Sequence, residues 1–251
     1  MGAEYNPFSL LGKTLLVTGA SSGIGKETAI QCSRLGAQVI ITGRNEERLN
    51  ETLSQMEGVG HRVVLAELTS QTETDKLVEE INSLNGVVLC AGKGLILPFT
   101  FSTKDKCQNI FDVNFFAPVE LLRLLVKKKK LTKDSSVVFV SSVGGNAVFA
   151  PGTGVYGASK SAINATMKFC AVELAPKKIR VNSVNPGRVK TKLIKNESLS
   201  EEQNKQDIDK YPLKRYGEAA EVAYAVIYLL SDASLWVTGH ALVVDGGRSL
   251  L

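Results

Sequence analysis

A tyrosine and a lysine four residues apart, in Tyr156-Gly-Ala-Ser-Lys160, form the pair best suited to chemistry in this chain. On a helix that spacing puts both side chains on one face. A phenol titrates near pH ~10 and gives up its proton poorly at neutrality; a neighbouring ammonium favours the phenolate and moves the group toward working pH. The pair reads as a proton donor with a lowered pKa, set against the plainer alternative of a half-buried tyrosine beside a solvated lysine. A second constellation lies near the start, where Thr18-Gly-Ala-Ser-Ser-Gly-Ile-Gly25 joins a short apolar run to an amphipathic stretch. Glycines let a backbone approach a pyrophosphate closely, and a helix N-terminus offers unpaired N–H groups and a favourable dipole. Gly19, Ser21, Ser22, Gly23, Ile24 and Gly25 therefore read as a phosphate cradle of the spacing Gly-x-x-x-Gly-x-Gly.

These groups must be placed by the elements around them. From Thr14 onward, short β-branched runs alternate with longer amphipathic stretches, which predicts parallel strands joined by helical crossovers in a doubly wound α/β sheet. Strands are expected near Lys13–Thr18, Gln38–Thr42, Arg62–Glu67, Gly86–Leu89, Ser136–Ser141, Arg180–Asn185 and Ala241–Val244. Their near-continuous apolar character fits burial on both faces. Helices are expected over Gly23–Leu35, Glu46–Met56, Gln71–Ser83, Lys104–Lys130, Gly157–Leu174 and Ala219–Leu230, with a polar, irregular insert from Lys190 to Tyr211 that reads as a mobile lid. In such sheets ligands bind beyond the carboxyl ends of the strands, so the residues just after each strand carry most interest.

With 251 residues and 44% hydrophobic content the chain can bury one large core, and no linker, repeat or low-complexity tract divides it. A single domain over residues 1–251 is expected. Met1 to Leu11 lacks a basic start followed by an apolar run, so no secretory leader is expected, and no stretch is apolar enough to span a bilayer. Cys32, Cys90, Cys107 and Cys170 lack paired spacing and read as small buried hydrophobes of a reducing, cytoplasmic compartment. His61 and His240 lie far apart and near no cysteine pair, so no metal site is expected and both histidines read as incidental. The net charge of +5 is mild; its densest run, Lys127 to Lys130 with Lys133, reads as a solvated helix end, with docking of an acidic partner as the alternative. Nucleic-acid binding is not required.

The order and spacing of several motifs together resemble the short-chain dehydrogenase/reductase family, in its branch of about 250 residues. They are the glycine loop, Asp112-Val-Asn114, Val140-Ser-Ser142 ahead of Tyr156-x-x-x-Lys160, Asn185-Pro-Gly187 leading to Thr191, and Val244-Asp-Gly-Gly247. The resemblance implies a Rossmann-type fold of about seven parallel strands with helices on both faces, and hydride transfer between a nicotinamide dinucleotide and a carbonyl or secondary alcohol.

Carried over position by position, the resemblance gives Asn114, Ser142, Tyr156 and Lys160 as the catalytic group. Ser142 would donate to the oxygen that becomes negative during hydride transfer, with Ser141 facing the other way. Tyr156 would protonate that oxygen, Lys160 would lower the phenol's pKa and bond the nicotinamide ribose, and Asn114 would hold a water extending the relay. Glu67 and Leu68 would line the adenine pocket, Ala91 and Gly92 would approach the cofactor, Pro186 and Gly187 would shape the turn beneath the nicotinamide, and Val189 and Thr191 would bond its carboxamide. Leu89 and Cys90 stand where the family has asparagines, which puts the hydrogen bonds tying that part of the sheet in doubt. Gly43 stands where an acid would hold the adenosine ribose, and Arg44 follows it, so NADP(H) is favoured over NAD(H).

Among such relatives the pattern is most similar to 3-oxoacyl-[acyl-carrier-protein] reductases, with Lys127–Lys130 and Lys177–Lys178 placed to meet an acidic carrier. Sugar-alcohol, steroid and xenobiotic ketone enzymes share the same motifs, and a non-catalytic dinucleotide sensor is the reading from another class. The resemblance also implies a homotetramer or homodimer, with Trp236, Leu250 and Leu251 as interface.

Overall fold

In the computed structural model, which describes residues 5–191 and 200–251, β1 (Thr14–Thr18) starts a seven-stranded sheet. The other strands are β2 (Gln38–Gly43), β3 (Arg62–Leu65), β4 (Leu84–Leu89), β5 (Leu131–Val140), β6 (Arg180–Pro186) and β7 (Ala241–Val244). Their order is β3-β2-β1-β4-β5-β6-β7, and every pair is parallel. The chain direction across the sheet reverses between β1 and β4, which opens a crevice at the carboxyl ends of those two strands.

Continuous apolar strands are explained by where their side chains go. Successive residues of a strand point to opposite faces, and both faces here are covered. Leu16, Val87, Leu89, Val137 and Phe139 enter one core with Leu77, Leu121, Leu125, Ile163 and Met167. Leu15, Val17, Val88, Val138 and Val140 enter the other with Ala29, Leu49, Val222, Val226 and Leu230. The first core is closed by α3 (Gln71–Glu79), α5 (Ala117–Lys127) and α6 (Gly154–Leu174); the second by α1 (Gly23–Arg34), α2 (Glu46–Leu53) and α8 (Ala219–Leu230).

Several expected boundaries move. The Asn45 side chain caps α2 by accepting from Arg48 N, and Ser70 caps α3 by accepting from Glu73 N. Both helices end earlier than their amphipathic patterns suggest, at Leu53 and Glu79. β5 begins five residues before Ser136, at Leu131, because Leu131 pairs with Leu84 ahead of a register shift. The expected helix over Lys104–Lys130 is broken: α4 (Lys104–Phe111) and α5 are joined by a π-helical turn, Asp112–Phe116.

The insert from Lys190 to Tyr211 is not irregular throughout. It contains α7 (Glu201–Asp209), opened by a reciprocal capping box between Ser200 and Gln203; the rest of the expected lid, 192–199, lies outside the described residues. The lysine run is solvent-exposed over Lys127–Lys129 as expected, with Lys128 also paired to Glu79 at 3.3 Å, while Lys130 Nζ turns back to donate to the Ile81 carbonyl. His61 is not incidental to the fold. Its Nδ1 accepts from Val39 N at 3.1 Å, binding the loop before β3 to β2. Cys32 is buried while Cys90, Cys107 and Cys170 are half-buried.

Candidate active site

The glycine loop sits at the reversal of the sheet. Gly19 has a φ of +67°, and a Cβ there would lie 2.8 Å from Ala91 Cα; one on Gly25 would lie 2.4 Å from the Gly19 carbonyl oxygen. Only hydrogen fits at either point, so β1, the start of α1 and the end of β4 come together as one surface. Ser22 is extended and makes no side-chain cap, and the first turn of α1 carries no acid, so the positive end of the helix dipole is left unneutralised by its own side chains. Thr191 faces this loop from the other half of the sheet: its Cγ2 would be 3.1 Å from a Cβ on Gly23. The cradle fits a dinucleotide pyrophosphate, with Gly19, Ser21, Ser22, Gly23, Ile24 and Gly25 as its wall.

The departure at Leu89-Cys90 is compensated from β1. Thr18 Oγ1 accepts from both Cys90 N and Ala91 N at 3.0 Å, and donates to the Val88 carbonyl at 3.3 Å. One hydroxyl thus ties the end of β4 to β1, and Leu89 packs in the first core instead of offering an amide. The Cys90 thiol is held protonated, its pKa pushed up by burial to about 11.

β5 leads directly into Ser141 and Ser142, which diverge as expected. Ser141 is buried and donates to the Lys160 carbonyl at 3.0 Å. Ser142 lies on the open side, its hydroxyl accepting from Gly144 N at 3.1 Å. The loop after it presses onto α6 because two glycines permit it: a Cβ on Gly157 would lie 2.5 Å from the Gly144 carbonyl, and one on Gly145 would lie 2.7 Å from the Lys160 carbonyl carbon. A Cβ on Gly144 would stand 3.4 Å from Ser142 Oγ and 3.9 Å from Tyr156 Cε1, so the hydroxyl and the phenol share one opening.

Lys160 is buried in the same wall, its Nζ 6.0 Å from the centre of the Tyr156 ring and donating to the Val140 carbonyl at 2.9 Å. Burial pulls its pKa down to about 8. The expected lowering of Tyr156 is overturned here: burial pushes the phenol up, and hydrogen bonding with Ser142 offsets this only in part. The reason is that burial desolvates the phenol, which disfavours its charged form.

Asn114 is buried in the π-helical turn and bonded through both ends of its carboxamide. Its Oδ1 accepts from Lys93 N at 2.9 Å, and its Nδ2 donates to Lys93 O at 3.0 Å and to Ser159 Oγ at 3.1 Å. The side chain fixes the strap after β4. That strap brings Gly92 to the lysine, where a Cβ would lie 3.3 Å from Lys160 Nζ.

At the far end of the cleft, Arg44 is exposed and pairs with Glu67, Nη1 to Oε2 at 3.0 Å. Glu67 also accepts from Thr69 N and Oγ1, and these bonds with Arg44 hold its carboxyl below the usual range against the opposing effect of burial. Leu68 packs beside the first core. Pro186 is the last residue of β6, paired with Val244, and Gly187 N donates to Val244 O at 3.0 Å, so this segment extends the pairing of β6 with β7. Val189 is buried, which leaves only its main chain for a ligand. Arg188, Asp207, Tyr211 and Tyr216, which converge beside it, were not singled out from the sequence. Among the described residues no cluster of histidine, cysteine, aspartate or glutamate could hold a metal, and no helix is long and apolar enough to cross a membrane.

A family model described as enoyl-(acyl carrier protein) reductase matches residues 19–249. The chain belongs to the short-chain dehydrogenase/reductase family. It is an oxidoreductase of the NAD(P)-dependent kind found throughout that family. It is 35% identical to a tropinone reductase homolog of Arabidopsis thaliana, over 98% of this chain and 94% of the relative. It is 34% identical to a 3-oxoacyl-[acyl-carrier-protein] reductase of Rickettsia prowazekii (96% and 99%), and 32% to an L-xylulose reductase of Mus musculus (95% and 97%). Among solved structures, a dehydrogenase/reductase from Sinorhizobium meliloti superimposes with a TM-score of 0.89 at 29% identity, covering 96% of this chain and 97% of the other. Relatives of nearly equal similarity thus carry three different substrate names.

Proposed function

We propose that the protein is an NADP(H)-dependent carbonyl reductase whose preferred substrates are apolar 3-oxoacyl thioesters. The observation that carries the substrate reading is the apolar rim beside the catalytic opening. Leu97 N donates to the Gly152 carbonyl at 2.8 Å, and a Cβ on Gly152 would lie 3.1 Å from Ile96 Cγ2, so the strap after β4 joins the loop that leads into Tyr156. Ile96 and Phe149 stand exposed on the two joined segments, at 58% and 84%. Such a rim suits an acyl chain and offers a polyol no hydrogen bonds. An acidic carrier would be met by the exposed lysines Lys127, Lys129, Lys177 and Lys178.

NADP(H), when bound, supplies or accepts the hydride. Ser142 then donates to the carbonyl oxygen, and Tyr156 gives it a proton in reduction or withdraws the proton in oxidation. Lys160 places positive charge beside the phenol, while Ala91, Gly92, Pro186, Gly187, Val189 and Thr191 hold the nicotinamide end. Arg44 favours a 2′-phosphate, and Gly43 removes the acid that would repel it. The four free cysteines suit a reducing cytoplasm. Trp236, wholly exposed, and the exposed Leu250, Leu251, Phe169 and Val172 support assembly with further copies of the chain.

The test is initial rates with NADPH and NADH against acetoacetyl thioester, sugar ketone, steroid and aromatic diketone. The expected result is NADPH oxidation fastest with the thioester. A faster sugar ketone overturns the substrate reading, and NADPH binding with no turnover of any ketone points to a sensor.

A further inference from the structure

The strap between β6 and the insert runs Arg188-Val189-Lys190-Thr191, and it is held from two sides. On one side it forms a short parallel bridge, Val189 to Gly217, in which Lys190 N donates to Gly217 O at 2.9 Å and Gly217 N donates to Arg188 O at 3.0 Å. Lys190 Nζ and Glu218 add an ion pair at 2.5 Å. On the other side stands α7. Asp207 Oδ2, in its last turn, accepts from Arg188 Nη1 at 3.2 Å and from Tyr216 Oη at 3.0 Å. Tyr211 Oη accepts from Arg188 N at 3.1 Å, so an aromatic residue just past α7 holds the strap's main chain. The two tyrosine rings meet edge to face at 5.6 Å, and the Arg188 guanidinium lies 5.5 Å from the Tyr216 ring centre. Both tyrosines are buried.

We propose that Asp207 is a positioning residue: it fastens α7 to the strap and so sets how closely Thr191 approaches the glycine loop across the cofactor cleft. A single carboxylate is the point where three separate segments join, namely the strap, α7 and the run leading into α8. It accepts a charge-assisted bond and a phenolic bond at one half-buried point, which fixes direction as well as distance. Burial and this carboxylate push the Tyr216 phenol up to about 12, so it remains a donor throughout the working range. Thr191 lies two residues past the bridge at Val189, with its side chain against Gly23. Movement of the strap would open or crowd the cleft at that point and so change the fit of the cofactor.

The inference rests on the reading of this strap as the nicotinamide-side wall, and the experiment separates the two. NADPH binding is titrated by cofactor fluorescence in the wild type, Asp207→Ala, Asp207→Asn, Tyr216→Phe and the double variant Asp207→Ala/Tyr216→Phe, alongside kcat and melting temperature. The Kd for NADPH should rise about tenfold in Asp207→Ala and less in Asp207→Asn and Tyr216→Phe, with kcat at saturation changed by less than about twofold. Adding Tyr216→Phe to Asp207→Ala should change Kd little, because both act through the same carboxylate. A lowered melting temperature with wild-type Kd in every soluble variant overturns the positioning role. A wild type that binds neither NADPH nor NADH overturns the cofactor reading along with it.

Discussion

The Asn114 side chain bonds both main-chain groups of Lys93, accepting from N at 2.9 Å and donating to O at 3.0 Å. A carboxamide here does what a neighbouring strand would do, holding a strap that has left the sheet. Its second donor bond, to Ser159 on α6, links that strap to the helix that carries Tyr156 and Lys160. Replacing Asn114 by Ala leaves Lys93 N, Lys93 O and Ser159 short of partners, at about 1–3 kcal/mol for each group that stays buried and unpaired. Asn114→Ala should lower stability by a few kcal/mol in chemical denaturation and reduce kcat. A wild-type denaturation midpoint would show that the clamp contributes nothing.

Tyr156→Phe removes one hydroxyl and no packing volume of note. The expected outcome is loss of at least about 10²-fold in kcat, the usual contribution of a placed general acid, with Kd for NADPH within about threefold of wild type. Stopped-flow or steady-state rates beside a fluorescence titration check both halves.

Lys160 gives a pH signature. Its folded pKa is lowered from 10.5 to about 8, so between those values the unfolded chain binds more protons than the folded one. Its burial therefore costs most below pH 8, and stability rises with pH as the penalty fades toward 10.5. Lys160→Met abolishes this dependence. The variant's stability relative to wild type should fall by up to about 1.4 kcal/mol per pH unit between pH 8 and 10.5, and a flat difference would contradict the assignment.

Thr18 carries the tie that asparagines would otherwise supply near β4. Thr18→Val keeps the shape but leaves Cys90 N and Ala91 N without their acceptor, and should cost about 1–3 kcal/mol per group left unpaired. Thr18→Ser should recover most of it. Hydrogen exchange at those two amides is the most direct readout.

The cofactor end can be turned in both directions. A Cβ on Gly43 would lie 3.8 Å from both Leu49 and Ser21, ordinary contact, so Gly43→Asp should fold and shift preference from NADPH to NADH. Glu67→Gln removes the charge now paired with Arg44 and frees the guanidinium for a 2′-phosphate. Because that pair is exposed and such pairs contribute ~0–1 kcal/mol, NADPH affinity should improve by no more than about fivefold. Ratios of kcat/KM for the two cofactors decide both.

The sequence by itself determined most of the strands, because β1, β2, β4 and the second half of β5 serve two cores and are mostly apolar in sequence, a pattern that needs no partner to be recognised. It also determined the glycine loop and the Tyr156–Lys160 pair, which are local in the chain. α7 was missed, its segment being expected to be irregular because its polar composition shows no apolar face; the capping box of Ser200-Glu-Glu-Gln203 was the one local signal for it. Tertiary structure alone decided the rest. The break of the long helix at Asp112–Phe116 has a local mark in Pro118, which lacks the N–H that would continue the ladder, but that mark does not show that the turn places Asn114 beside Lys93, twenty-one positions away. The clamp of Arg188, Asp207 and Tyr216 joins segments whose spacing follows no secondary-structure period. The direction of the Tyr156 shift was decided by burial, which a spacing of four cannot express. Spacing fixes which side chains can share a face; desolvation and long-range hydrogen bonds fix what they do there.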